Sequence, residues 1–195
     1  MVARLVVLVP DDDTGSVDDL TRLARSAGSG DRVALAAFVR QTQPEVWRLC
    51  ARLGDHADAD DLTQEVYLRA LPALVAFRGD ASARTWLLQI ARNVCADHVR
   101  RRTRSRALLD RLVQRTRSDD TTAGTGLVDL DDAIAALHPD RREAFVLTQV
   151  TGLSYAEAAE VCDVPVGTIR SRVARARADL VDALADDAGT ATDRA

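Results

Sequence analysis

Lysine is absent from this chain: all 26 basic residues are arginine. A GC-rich coding preference would produce the same absence, so it carries no functional weight. Three other scarcities do exclude something. Aromatic residues make up 4% of the chain, and the remaining palette, dominated by Ala, Leu, Val and Arg, is that of packed helices rather than sheets. An all-α fold is expected. The cysteines, Cys50, Cys95 and Cys162, are odd in number and far apart, which argues against a disulfide framework and against a CxxC metal site. His56, His98 and His138 are equally scattered, so neither metal nor cofactor is expected. The apolar run LVVLV at Leu5–Val9 is far shorter than the ~18 residues of a membrane span and has no cleavage site after it. A cytoplasmic protein with no membrane partner is the expectation.

What the chain does have is charge sorted by position. Its net charge of −4 would by itself argue against nucleic-acid binding, yet Arg84–Arg117 holds ten Arg against Asp97 and Asp110, and Pro165–Arg177 holds four Arg and no acid. Acidic stretches, Asp11–Asp19, Asp55–Glu65, Asp119–Asp132 and Asp179–Asp193, separate them. Carboxylates facing a protein partner and guanidiniums facing nucleic acid, on separate surfaces, is the arrangement this suggests.

With 195 residues the chain has room for two small domains. Helical periodicity gives a first block over residues 20–102, after an N-terminal tail, 1–19, expected to be disordered. Within it lie a pattern at Val33–Cys50 that Pro44 should kink or restart, a second at Asp58–Leu71 opening on acids, a turn-rich loop at Phe77–Thr85, and a long helix at Thr85–Arg102 with Leu87, Ile90, Val94 and Val99 inward. Residues 103–126 lose the apolar period and read as a flexible linker. The second block, 127–185, shows four short patterns: Val128–Leu137, Asp140–Thr151, Ser154–Val161 and Val166–Leu184. Residues 186–195 read as a disordered tail.

The second block is most specific at LSYAEAAEVCDVPVGTIRSRVARAR. Ser154 and Glu157 have capping-box spacing, so a helix starts at Tyr155. CDVPV then supplies a short turn, with Pro165 where its missing donor costs nothing. The last helix follows, with Ile169, Val173, Ala176, Leu180 and Leu184 on one stripe at ~100° per residue. Thr168, Ser171, Ala174 and Arg175 point away from that stripe, flanked by Arg170, Arg172 and Arg177. Small residues around an arginine that can reach guanine O6 and N7 suit a major groove, and flanking arginines suit phosphates. A helix-turn-helix that reads DNA is the expectation.

Three stretches, in this order and spacing, resemble the extracytoplasmic-function sigma factors of bacterial RNA polymerase: DADDLTQEVYLRA (Asp58–Ala70), FRGDASARTWLLQIARNVCADHVRRR (Phe77–Arg102) and GLSYAEAAEVCDVPVGTIRSRVARAR (Gly152–Arg177). The resemblance spans residues 20–184. It implies a sigma-2-like domain and a sigma-4-like domain joined by a linker that threads the polymerase. By that likeness Asp58, Asp61, Gln64 and Glu65 dock on the clamp helices of core polymerase, whose flap is a further contact. Gly79, Asp80 and Ser82 form a pocket for an extruded −10 base, Asn93, Asp97, Arg100 and Arg101 face −10 DNA, and Arg92 with Arg100–Arg102 holds its phosphates. Thr168, Arg170, Ser171, Arg172, Arg175 and Arg177 read the −35 duplex. Trp86 begins a core-facing helix and is expected to pack inward. Phe77 and Trp86 are the aromatics available near the −10 strand, which favours a stringent specialist over a factor with broad promoter range.

Two other classes compete. A helix-turn-helix regulator acting on operators would use the second block alone but leaves DLTQEVYLRA and ARTWLLQIARNV without a role. An enzyme built on Asp58, Asp60, Asp61 and His56 lacks convergent ligands or a nucleophile, so no catalytic residue is expected. An anti-sigma partner and control by expression level are both compatible with the sequence.

Overall fold

In the computed structural model the backbone is described for residues 14–113 and 130–192, and side chains for 19–105 and 130–185. All described secondary structure is helical. The first half contains α1 (Thr14–Gly28), α2 (Arg32–Leu53), α3 (Ala59–Ala73) and α4 (Ala83–Val113). The second contains α5 (Leu130–Ala136), α6 (Pro139–Phe145), α7 (Tyr155–Cys162) and α8 (Val166–Thr192).

Helix α1 was not marked by a strong start signal, but Leu20 and Ala24 are buried, with Leu23 and Ala27 packed beside them. That is one apolar stripe at helical spacing. Asp31 caps α2, its side chain accepting from Val33 N and Ala34 N. Pro44 lies inside α2 without ending it. A proline removes one backbone bond and costs about 3 kcal/mol, but Phe38 and Val46 on either side are fully buried and packing holds the rod together.

Three boundaries differ most from the sequence reading. Helix α1 begins at Thr14, inside the N-terminal tail, 1–19, expected to be disordered, and packing of the buried Leu20 and Ala24 further along it holds the helix. Helix α4 runs to Val113 rather than stopping near Arg102, because TRSRALLDRLV contains no Gly or Pro and is rich in good helix formers. Helix α8 likewise runs to Thr192, through the segment expected as a tail, on an Ala-rich sequence. Residues 1–13 of the expected tail, the remainder of the linker, 114–126, and the first residues of the second block, 127–129, lie outside the described residues.

Buried apolar side chains of both halves form one continuous cluster. Helix α4 sits at its centre, touching α1, α2 and α3 on the first-half side and α7 on the other. For that reason Leu88, Ala91 and Cys95 are buried in addition to the predicted Leu87 and Val94. Trp86 is partly buried against the core, its ring 5.1 Å from that of Phe77, as inward packing requires.

Candidate nucleic-acid and protein interface

The helix-turn-helix forms from local chemistry. Ser154 accepts from Glu157 N at 3.2 Å while the Glu157 carboxylate accepts from Ser154 N at 2.8 Å, so both halves of the capping box are made. α7 ends at Asp163, which adopts the left-handed conformation (φ 53°). Two residues later the Pro165 carbonyl accepts Thr168 N at 2.8 Å as α8 begins. Ile169, Val173, Ala176 and Leu180 are buried. Leu184 is not: it is 40% exposed, because α8 has by then outrun the body it packs on.

On the outward face of α8, Arg170, Ser171, Ala174 and Arg175 are exposed and Thr168 is half-buried. Arg170 and Arg175 form no hydrogen bond or ion pair with any described residue. The two other arginines are anchored: Arg172 donates to Asp140 of α6 at 2.7 Å, and Arg177 to the Gln149 side-chain oxygen at 2.7 Å. The sequence reading sets Arg175 outward toward bases and places Arg170, Arg172 and Arg177 together on its flanks. The fold separates two free guanidiniums from two tethered ones.

In the first half, Asp61 and Gln64 are exposed one turn apart on α3, with Leu68 exposed one turn further on. Asp58 and Glu65 are not free carboxylates. Asp58 lies 3.1 Å from Arg102 Nη1 and 3.0 Å from His98 Nε2, the latter without the alignment of a hydrogen bond. Glu65 pairs with Arg69 and stands 3.5 Å from Arg101. Arg102 also pairs with Asp55, which holds the Asp55 carboxyl below its ordinary value, aided by the Ala57 amide. Asp97 accepts from Arg100 at 2.5 Å and Arg69 at 3.1 Å, and both arginines hold its carboxyl low.

Acids and arginines therefore interlock where α3 meets α4, around an open cleft of about 390 Å³ lined in part by Asp61, Glu65, His98 and Arg101. This corrects the expectation of two separate charged surfaces. The signs are segregated along the chain, but antiparallel packing of α3 on α4 brings the segments together. Exposed pairs contribute ~0–1 kcal/mol each, so an incoming phosphate or partner helix exchanges for them at small cost.

The loop Phe77–Ser82 opens on Gly79 at φ 78°. Asp80 is exposed, and Ser82 Oγ accepts from Thr85 N at 3.1 Å, capping α4. Further along α4, Asn93, Arg100 and Arg101 are exposed, whereas Arg92 is held by Glu143 of α6 at 2.5 Å. Arg84 joins the halves as well, reaching Glu45 at 2.6 Å and the Thr151 carbonyl at 2.5 Å. Contacts between the halves could not be found by sequence reasoning, since each partner taken alone is an ordinary exposed charge.

Residues 38–105 match the family model described as sigma-70 region 2, and residues 127–180 match sigma-70 region 4. A probable RNA polymerase sigma-C factor of Mycobacterium bovis is 52% identical over 179 residues, covering 89% of this chain and 97% of that protein. The ECF RNA polymerase sigma-E factor of Escherichia coli is 32% identical, covering 80% of this chain and 88% of that protein. Among solved structures, CnrH in complex with the cytosolic domain of CnrY aligns with a TM-score of 0.68 at 29% identity, over 87% of this chain and 99% of that one. The sigma factor RpoE of Bartonella quintana, in complex with the anti-sigma factor NepR, aligns with a TM-score of 0.62 at 28% identity, over 76% and 94%.

Proposed function

The chain belongs to the extracytoplasmic-function sigma factors of the sigma-70 family, and from that premise we propose how its own residues divide the work of promoter recognition. It acts as a non-enzymatic subunit that joins core RNA polymerase in the cytoplasm and directs it to −35 and −10 elements, where it promotes strand opening. Among the described residues no helix is long and apolar enough to cross a membrane.

The observation that carries the division is the exposure of two chemically opposite faces on one chain: Asp61 and Gln64 on α3, Arg170 and Arg175 on α8. Asp61 and Gln64 meet the polymerase clamp first, and Asp58 and Glu65 join by exchanging their internal arginines for partner cations. Arg170, Ser171 and Arg175 approach base edges, and Thr168 lets the backbone close on the groove. Arg172 and Arg177 serve phosphates while braced from behind by Asp140 and Gln149. At the −10 element the loop carrying Gly79, Asp80 and Ser82 receives an extruded base. Asn93, Asp97, Arg100 and Arg101 line the strand beside it, with Arg92 recruited as the halves separate. Unstacking costs about 1–2 kcal/mol per step, which single-strand contacts of this kind offset.

The boundaries of this division are residues 20–102 for the clamp and −10 unit and 127–185 for the −35 unit. Because the similar sigma factor RpoE is held by the anti-sigma factor NepR, an anti-sigma protein is a natural further partner. An operator-binding regulator is disfavoured, since the similarity to sigma factors runs through the first half as well as the second.

Run-off transcription with core polymerase on a promoter library tests the reading. Promoter-specific transcripts are expected with the intact chain. Charge reversal at Asp61 and Glu65 should abolish holoenzyme assembly while the circular dichroism spectrum stays unchanged; assembly at full strength would remove the clamp assignment.

A further inference from the structure

The loop assigned to the −10 base lies along a helix that precedes the matched region 2 residues. Three residues of α1, Thr21, Arg25 and Gly28, share one face at spacings of four and three, and each meets the connection between α3 and α4 at a different point. At Gly28 an added Cβ would collide with the Leu74 backbone, coming within 3.0 Å of its carbonyl carbon. Arg25 Nη2 donates to the Arg78 carbonyl at 3.2 Å. Its guanidinium also occupies the space above Gly79, so that a Cβ there would overlap it. Thr21 Oγ1 accepts from Ala83 N at 3.1 Å, satisfying an amide at the start of α4 that has no partner within the helix.

The register is antiparallel and continuous. Gly28 sits under Leu74, Arg25 under Arg78 and Gly79, and Thr21 under Ala83. The seven-residue rise of α1, about 10 Å, measures out the loop. Between the last two anchors only the outer residues stay free: Asp80 and Ala81 are exposed while Ala83 is fully buried. A loop pinned at both shoulders by a helix behind it presents its tip in one geometry, which is what discrimination between bases requires.

We propose that Thr21 and Arg25 are positioning residues for −10 recognition: from behind the loop, α1 fixes the pocket that selects the extruded base. This rests on the reading of Gly79, Asp80 and Ser82 as that pocket, and it assigns a promoter-selecting role to a helix outside the residues matched by the family model.

The test uses the full chain with core polymerase and two promoter pairs, one pair differing only at the −10 element and the other only at the −35 element. Thr21→Val removes the acceptor at nearly constant volume, Thr21→Ser restores it, and Arg25→Met removes the guanidinium. Thr21→Val and Arg25→Met should lower the −10 transcript ratio about fivefold, near the low end of what one base pair contributes. The −35 ratio and the affinity for core polymerase should hold, and Thr21→Ser should behave as the unaltered chain. A −10 ratio unchanged in both variants overturns the proposal. So does a parallel loss of both ratios and of core affinity, which would mark a merely structural role. Asp80→Ala separates the two levels: if it shifts the −10 ratio while the α1 variants do not, the positioning role alone fails; if it too leaves the ratio unchanged, the pocket reading fails and the proposal with it.

Discussion

Arg92 Nε lies 2.5 Å from Glu143 Oε1, and the two side chains tie the middle of α4 to α6 across the two halves of the molecule. Arg92 is one of the arginines that the sigma-factor reading places on −10 phosphates, and in this arrangement its charge is already spent on an internal carboxylate. Both members are largely sheltered, at 28% and 13% side-chain exposure, so the pair contributes more than a surface contact.

Glu143→Gln keeps the shape of the side chain and removes its charge. The expected outcome is a holoenzyme that binds a −10 fork-junction oligonucleotide more tightly, by about twofold to fivefold at low salt, because the attraction competing for Arg92 is gone. The same change should lower the stability of the free chain by about 1 kcal/mol, as a sheltered charge-assisted bond is weakened. Fluorescence anisotropy and urea unfolding check the two effects. Unchanged oligonucleotide affinity would show that Arg92 does not meet the DNA.

The arginines of α8 should separate into two kinds of variant. Arg175 has no described partner, and Arg175→Ala should relax the −35 preference by about 1–3 kcal/mol at one base pair, as expected when a bidentate reader of guanine is lost. Arg177 is braced by Gln149, and Arg177→Ala should weaken binding to all sequences alike, lowering the salt dependence by about one phosphate contact. A −35 substitution matrix measured at two salt concentrations distinguishes them. Equal loss of specificity in both variants would contradict the assignment of free and tethered guanidiniums.

Much of the second half could be read directly because its signals are local. The Ser154–Glu157 box, the turn before Pro165 and the stripe Ile169, Val173, Ala176, Leu180 each need only a few neighbouring residues to form. Leu184 escaped the pattern because periodicity says which face a residue is on, not whether anything remains there to cover it. In the first half the apolar stripe of α1, Leu20, Leu23, Ala24 and Ala27, was present but too rich in small residues to stand out. The pairing of Asp55 and Asp58 with Arg102 and of Arg92 with Glu143 spans more than 40 residues of chain. Such pairs arise only when helices pack, and no feature of either sequence segment signals its partner. The charge segregation seen along the chain was real, and tertiary packing cancelled part of it.

Asp163 gives a test of the turn itself. A non-glycine residue at φ 53° pays a backbone penalty of ~1 kcal/mol that glycine avoids, partly offset by the greater chain freedom glycine has when unfolded. Asp163→Gly is expected to stabilise by about 0.5 kcal/mol, or about 1–2 °C in melting temperature for a chain of this size. Asp163→Val, β-branched and poorly suited to this region, should destabilise by about 1–2 kcal/mol. Since Asp163 is exposed and sits ahead of the reading helix, the glycine variant should keep its −35 preference. A valine variant as stable as the parent would mean that the residue is not left-handed in solution.

Tyr67 offers a pH readout of the first half's core. Its hydroxyl lies 2.7 Å from Thr42 Oγ1, which is itself bonded to the Phe38 carbonyl at 2.8 Å. Burial pushes the phenol up to about 12 from an ordinary 10.0, with the Thr42 bond opposing that rise only in part. Folding thus holds the phenolic proton more tightly than the unfolded chain does. The corresponding stabilisation is complete below pH 10.0 and is lost as the pH rises toward about 12. Tyr67→Phe should cost about 1 kcal/mol at neutral pH through the lost hydrogen bond, since Thr42 keeps its backbone acceptor. The variant should also show a shallower alkaline loss of stability than the parent, and the difference between the two curves isolates Tyr67 from every group the two proteins share. Urea midpoints at pH 8 and pH 11, with absorbance at 295 nm following tyrosinate, provide the measurement. Parallel curves for the two proteins would show that Tyr67 is solvated and that the junction of α2 with α3 is looser than this packing requires.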